Sequence, residues 1–198
     1  EYLIIVEGED DGVFLEHVLN LKDADENKVQ VQYVKGISKI PPYLLALSKS
    51  PPLTSGAIKN IAIILDADSD FNQAGSRIRT WLEEANLPIS DPGTVNKDGP
   101  VSVGVYLLPN SKDSGELEDL IISCLTEDDR IVAARNLLKQ FDPQTIFKKS
   151  SKRIIQISLA VSNIDLCSGA GRGIRNGAFP IQLKDLQDLD EFLSNFLS

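Results

Sequence analysis

The chain has no methionine, one histidine, one tryptophan and two cysteines in 198 residues. Each scarcity excludes something. With His17 the single histidine, a Ser-His-Asp triad or any other imidazole chemistry would have to run through that residue. Its setting, Phe14-Leu15-Glu16-His17-Val18-Leu19, reads instead as the surface or edge of a helix. Cys124 and Cys167 form no Cys-x-x-Cys pair, which argues against both a zinc site and a disulfide framework. No apolar run approaches the roughly 18 residues of a membrane helix, and Glu1-Tyr2-Leu3-Ile4-Ile5-Val6 enters a strand pattern with no basic leader. A cytoplasmic protein with no membrane partner is the expectation. The lack of even an initiator methionine is improbable by composition. Either the start of the chain or modified methionines are missing from the sequence, and in the second case some spacings are short by one.

What is present is ordinary in bulk. Hydrophobic residues make up 42% and charged residues 25%, as in soluble globular domains, and the length suits one sizeable core. The formal charge of −9 argues against indiscriminate nucleic-acid binding. The charge is unevenly spread, however. Lys139, Lys148, Lys149, Lys152, Arg153, Arg172 and Arg175 stand against only Asp142 and Asp165 in that stretch. An acidic body with a basic segment suits a protein that binds metal in one place and phosphate beside it.

Along the chain, continuous apolar runs at Tyr2–Val6, Ile61–Leu65 and Val101–Leu108 read as buried strands, and Val29–Val34 alternates as a strand. Helical spacing marks Asp10–Leu21, Ile40–Leu47, Phe71–Leu87, Glu116–Leu125, Asp128–Phe141, Pro143–Val161 and Leu183–Leu197. Pro51–Gly56 reads as loop, Pro88–Pro100 as a turn-rich connection and Ser168–Gly177 as a Gly-rich loop. Alternating strands and helices predict an α/β fold: a mainly parallel sheet of about four strands flanked by helices, with a helical C-terminal part. Residues 1–125 form the α/β core on this reading, and 126–198 a helical extension packed on the same domain.

Acids follow the strands. Val6 leads into Glu7-Gly8-Glu9-Asp10-Asp11, Leu65 into Asp66-Ala67-Asp68-Ser69-Asp70, and the fourth strand into Gly115-Glu116-Leu117-Glu118-Asp119-Leu120. In parallel sheets functional groups collect beyond the carboxyl ends of the strands. Two carboxylates about 5 Å apart repel by roughly 3 kcal/mol at an effective dielectric of about 20, and a divalent cation removes that penalty. Oxygen ligands without His or Cys point to magnesium, manganese or calcium. The bland alternative for Asp11 and Asp70 is a helix cap or turn former. Asp66-x-Asp68-x-Asp70 starts like a calcium loop, but Phe71 stands where that loop needs Gly and Arg77 where it needs Glu.

Strand-Glu7-Gly8-x-x-Asp11 followed by a later strand ending Asp66-x-Asp68 resembles the TOPRIM domain of primases, topoisomerases and OLD-family nucleases. Gly8 would allow the sharp strand-to-helix turn beside a metal. Leu107-Leu108-Pro109, Gly115–Leu120, and Lys152 ahead of Leu159-Ala160 resemble small stand-alone OLD-like TOPRIM proteins. The resemblance implies one or two Mg2+ (or Mn2+) ions. Glu7, Asp66 and Asp68 would hold the first, and Asp11 and Glu118 would hold a second or orient water. Lys152, Arg153 and Arg172 would face phosphate. No separate general base stands out. The four tyrosines read as strand or packing residues, which leaves no covalent nucleophile of the topoisomerase kind. No Gly-x-x-x-x-Gly-Lys-Ser/Thr loop is present, so the ATPase half of full OLD enzymes is missing. Gly169-Ala170-Gly171-Arg172-Gly173 reads better as a structural loop than as a phosphate cradle. The expected function is metal-dependent phosphodiester hydrolysis of nucleic acid, DNA or RNA. The alternative is a non-catalytic metal- or nucleotide-binding adaptor. A homodimer or an ATPase partner is compatible with either.

Overall fold

The computed structural model describes residues 1–141, 150–162 and 169–198. Its sheet is built from β1 (Tyr2–Val6), β2 (Val29–Tyr33), β3 (Asn60–Asp66), β4 (Thr94–Asn96) and β5 (Ser102–Leu108), in the order β2-β1-β3-β5-β4. The first three and β5 run parallel, with Ile4 opposite both Val31 and Ala62, and Ile63 opposite Val105. The helices are α1 (Glu9–Leu21), α2 (Ile40–Leu47), α3 (Pro51–Thr54), α4 (Phe71–Glu84), α5 (Leu117–Cys124), α6 (Asp129–Phe141), α7 (Ser150–Ala160), α8 (Ala170–Arg175) and α9 (Gln187–Phe196).

Strand periodicity sends alternate side chains to opposite faces, and two separate cores result. Ile4, Val6, Ala62, Ile64, Tyr106 and Leu108 pack under α1 and α5–α9. Leu3, Ile5, Ile61, Ile63, Val103 and Val105 pack under α2, α3 and α4. Both faces are covered, which explains why the central strands are apolar without interruption. The chain leaves β1 for β2 on one side and later enters β3 on the other. The crevice at the carboxyl ends of β1 and β3 is therefore the topological switch point, where open α/β sheets bind ligands.

Several elements depart from the sequence pattern. The sheet has a fifth strand, β4, inside the expected Pro88–Pro100 connection. It pairs antiparallel with β5 through Thr94–Val105, Val95–Gly104 and Asn96–Val103, and its three residues are too short to show a period. Pro51–Thr54 is one helical turn rather than loop, opened by prolines at positions where no amide partner is needed. The last amphipathic helix begins at Gln187, after a 3-10 turn at Leu183–Asp185.

The largest correction concerns the Gly-rich segment. Residues 170–175 form α8, not a loop. Glycines disfavour helix in isolation, but here they permit close docking on α1. A Cβ added at Gly171 would lie 2.1 Å from the Asp10 carbonyl oxygen, and one at Gly169 would lie 2.4 Å from an Asp10 carboxylate oxygen. That carboxylate accepts from Arg172 N at 3.2 Å, so an anion from α1 already caps the start of α8. This arrangement accounts for the segment without a phosphate. Among the expected basic residues, Lys148 and Lys149 lie outside the described residues, as do Asp142, Asp165 and Cys167.

Because backbone on backbone cannot yield, Gly171→Ala should destabilise by about 2 kcal/mol or more. Urea denaturation checks this: an unchanged midpoint would contradict the α1–α8 packing.

Candidate functional site

The site begins with backbone geometry. β1 ends at Val6, Glu7 follows, and Gly8 opens α1. Gly8 N donates to Asp11 Oδ2 at 3.0 Å, so Asp11 closes the first helical turn as a capping residue. A Cβ at Gly8 would meet that same oxygen at 3.2 Å. Asp66 is the last residue of β3, and its Oδ1 accepts from Leu117 N at 2.9 Å, at the start of α5. Asp119 caps the same helix, accepting from Glu116 N at 2.8 Å and from Ser151 of α7. Asp68 sits at φ 53, in the left-handed region, and bridges through its backbone to Gly115. Asp70 caps α4, accepting from Gln73 N at 3.0 Å.

Electrostatics then defines which acids act together. Burial raises Asp66, and the charges of Asp11, Glu118 and Glu116 raise it further, to about 8. Asp11 is pushed to about 6, by burial first, against its bond from Gly8, with Asp10 and Glu7 adding to the rise. Glu118 is also raised, chiefly by burial. Lys152 Nζ lies 2.9 Å from Glu116 Oε2. Burial works against its positive charge, but Glu116, Glu118 and Asp66 outweigh that and raise it. The structure therefore brings together Asp11, Asp66, Glu116, Glu118 and Lys152, with Glu7 joined through Asp11. Asp68 stands apart. Its side chain is 61% exposed and lies 3.9 Å from Arg77 Nη2.

Arg172 faces Glu9 through its guanidinium. Arg153 is exposed on α7. His17 is half-buried on α1 with its pKa lowered by burial, and Cys124 is raised to about 11, first by burial. Glu116 was not singled out by the sequence. Its signal was position: it precedes Glu118 by two residues, at the opening of a helix that follows β5. In the sequence Arg77 stands out only as a mismatch to a calcium loop.

Donor chemistry fits a hard divalent cation. All candidate ligands are carboxylate oxygens, and among the described residues the buried Glu116 Oε2 is met by the Lys152 ammonium alone. Among those residues, no three side chains of His, Cys, Asp or Glu are grouped closely enough to hold one ion. The acids surround the strand ends rather than converging on a point.

Fold and site together define an α/β protein with an acidic, lysine-countered cluster at the switch point of a mostly parallel sheet. Residues 1–197 match the family described as Protein of unknown function (DUF3226), and the chain belongs to that family. No curated protein matches it. A solved structure, the crystal structure of hypothetical protein PH0156 from Pyrococcus horikoshii OT3, is similar in fold. It is 18% identical with a TM-score of 0.60, over 98% of this chain and 94% of that one. Among the described residues no helix is long and apolar enough to cross a membrane.

The raised acids make a pH prediction. Folded Asp66 and Asp11 hold protons that their unfolded counterparts release above the ordinary value of 3.8. The native state binds more protons in that window, so metal-free stability should fall as pH rises from about 4 to about 8. Asp66→Asn keeps an oxygen for Leu117 N and removes the charge. It should flatten this decline and melt at least ~3 °C above wild type at the upper end. Melting curves across pH test it; parallel profiles for the two proteins would refute the assignment.

Proposed function

We propose that this protein is a metal-dependent phosphodiesterase acting on nucleic acid through a TOPRIM-like carboxylate site. One observation carries the reading. Burial, joined by the charges of Asp11, Glu118 and Glu116, raises the proton affinity of Asp66 at the carboxyl ends of β1 and β3, and burial raises Asp11 and Glu118 beside it, an arrangement that costs stability until a cation neutralises it. Asp66, with Asp11, Glu116 and Glu118 around it and Glu7 beyond Asp11, would supply carboxylate oxygens to a magnesium or manganese ion once these side chains converge on it; exposed Asp68 stands outside that set. Bound there, the ion would supply charge neutralisation at phosphate and acidify a water molecule.

The chain's own residues do the rest. Leu117 N fixes one oxygen of Asp66 and leaves the other for a ligand. Lys152 balances the acids from α7 while they are otherwise uncompensated, and its ammonium can turn to a phosphate that enters beside Glu116. Arg153, next to it on the exposed side of α7, adds positive charge toward solvent.

A second reading has an observation of its own. Asp68 lies exposed 3.9 Å from Arg77 instead of joining the buried acids, which suits a non-catalytic metal- or nucleotide-binding adaptor. One assay decides between the readings: purified protein with magnesium or manganese, offered supercoiled DNA, single-stranded DNA and RNA, beside Asp66→Asn. The phosphodiesterase should cut at least one substrate only with metal, and Asp66→Asn should not cut. In parallel, magnesium at ten times its dissociation constant should add about 1.4 kcal/mol of stability, roughly 3 °C in melting temperature, to wild type alone. A magnesium shift without cleavage of any substrate would select the adaptor.

A further inference from the structure

The sequence concentrates its cations toward the C-terminal part, yet Lys152, Arg172 and Arg175 face Glu116, Glu9 and Glu16. The opposite face of the sheet is different. Lys35 follows β2 at φ 61, and Gly36 N donates to the Glu7 carbonyl at 3.1 Å. That bond seats the Lys35–Lys39 loop against the first acid of the site. A Cβ at Gly36 would meet nothing within 4 Å, so open space lies beside the loop. Lys35 and Lys39 are exposed and, among the described residues, pair with no carboxylate.

Arg77 stands on the same face, on α4. Its guanidinium carbon is 5.4 Å from the centroid of the Trp81 ring, a supporting stack that keeps a fork of donors in place. The 3.9 Å approach to Asp68 is too long for a hydrogen bond, and Nε is buried with no partner. Arg77 thus has a held position, and its part-exposed terminal nitrogens approach Asp68 without a hydrogen bond.

We propose that Lys35, Lys39 and Arg77 form the rim that takes the phosphate backbone of a nucleic acid and leads it to the acids. Two anchors support this: the lysine loop is bonded to Glu7 after β1, and Arg77 is beside Asp68 after β3. These strands are neighbours, so the cations border one edge of the switch-point crevice. The three cations come from two elements and do not surround one pocket. That spread suits consecutive phosphates of a polymer better than a mononucleotide. The inference rests on the phosphodiesterase reading and specifies where its substrate enters.

The test uses fluorescein-labelled single-stranded DNA and RNA oligonucleotides of one sequence. Binding is read by anisotropy in EDTA, and cleavage is measured separately with magnesium. Lys35→Ala with Lys39→Ala changes only exposed side chains, so the variant should keep the wild-type melting temperature. It should bind on the order of tenfold more weakly, and its salt slope should fall by about two ions; adding Arg77→Ala should remove about one more. Arg77→Lys should recover only part of the loss from Arg77→Ala. Trp81 is the sole tryptophan, so its emission should shift on oligonucleotide binding in wild type and not in Arg77→Ala. Arg79→Ala, on the same helix but paired with Asp91, should bind as wild type. If wild type cleaves nucleic acid while the triple variant keeps its affinity and salt slope, the rim is overturned and the phosphodiesterase reading stands. Wild type that neither binds nor cleaves either oligonucleotide overturns both.

Discussion

Asp66 is the residue through which the sheet, α5 and the candidate site are tied together. It ends the central strand β3, so its backbone belongs to the ladder with Leu108 of β5. Its side chain accepts the first amide of α5. That single bond sets where Glu116 and Glu118 enter the crevice, and those two residues in turn hold Lys152 of α7. Removing the acceptor would free the α5 start from the sheet, whereas removing only the charge would leave the geometry in place. The same carboxylate is therefore a structural joint and, among the described acids, one whose proton affinity is raised far above the ordinary value.

Two kinds of interaction work against each other around this joint. Packing on both faces of the sheet excludes water from the strand ends, which penalises charge. The acids nevertheless gather there because they also end strands and cap helices: Asp11 for α1, Asp119 for α5, Asp70 for α4. Helix starts favour negative charge, so several helices beginning at one edge of a parallel sheet collect carboxylates even before any ligand is considered. What capping does not account for is Asp66 raised to about 8 and a buried Glu116 oxygen met, among the described residues, by Lys152 alone. Those features, rather than the number of acids, motivate a cation.

Much of this was legible in the sequence where one residue pattern determines one outcome. The unbroken apolar runs of β1, β3 and β5 and the amphipathic spacing of α1 and α4 appear as read, with ends shifted by a few residues. Glu7 and Asp66 stand at the ends of neighbouring parallel strands, a position that the strand-to-acid transitions and the alternation of elements already imply. The rest depended on partners distant in the chain. β4 exists because β5 offers it an edge. α8 is helical despite its glycines because Asp10, some 160 residues earlier, caps it. Glu116 becomes conspicuous only when Lys152 arrives from α7. Arg77 acquires meaning only when Trp81 supports it and Asp68 fails to satisfy it.

The C-terminal helix α9 lies against the same face of the sheet as the chain's first helix. Phe192 sits where a Cβ at Gly104 of β5 would be 2.9 Å away. The Tyr2 hydroxyl donates to the Leu197 carbonyl at 3.0 Å, and Lys22 pairs with Asp190. The earliest and latest segments of the chain thus share one core. β1, β2 and α1 lie close together in the sequence, but that face of the sheet stays open until α9 packs on it. Such long-range closure is slow to form, and it makes α9 a condition for finishing the fold, in the manner of a latch.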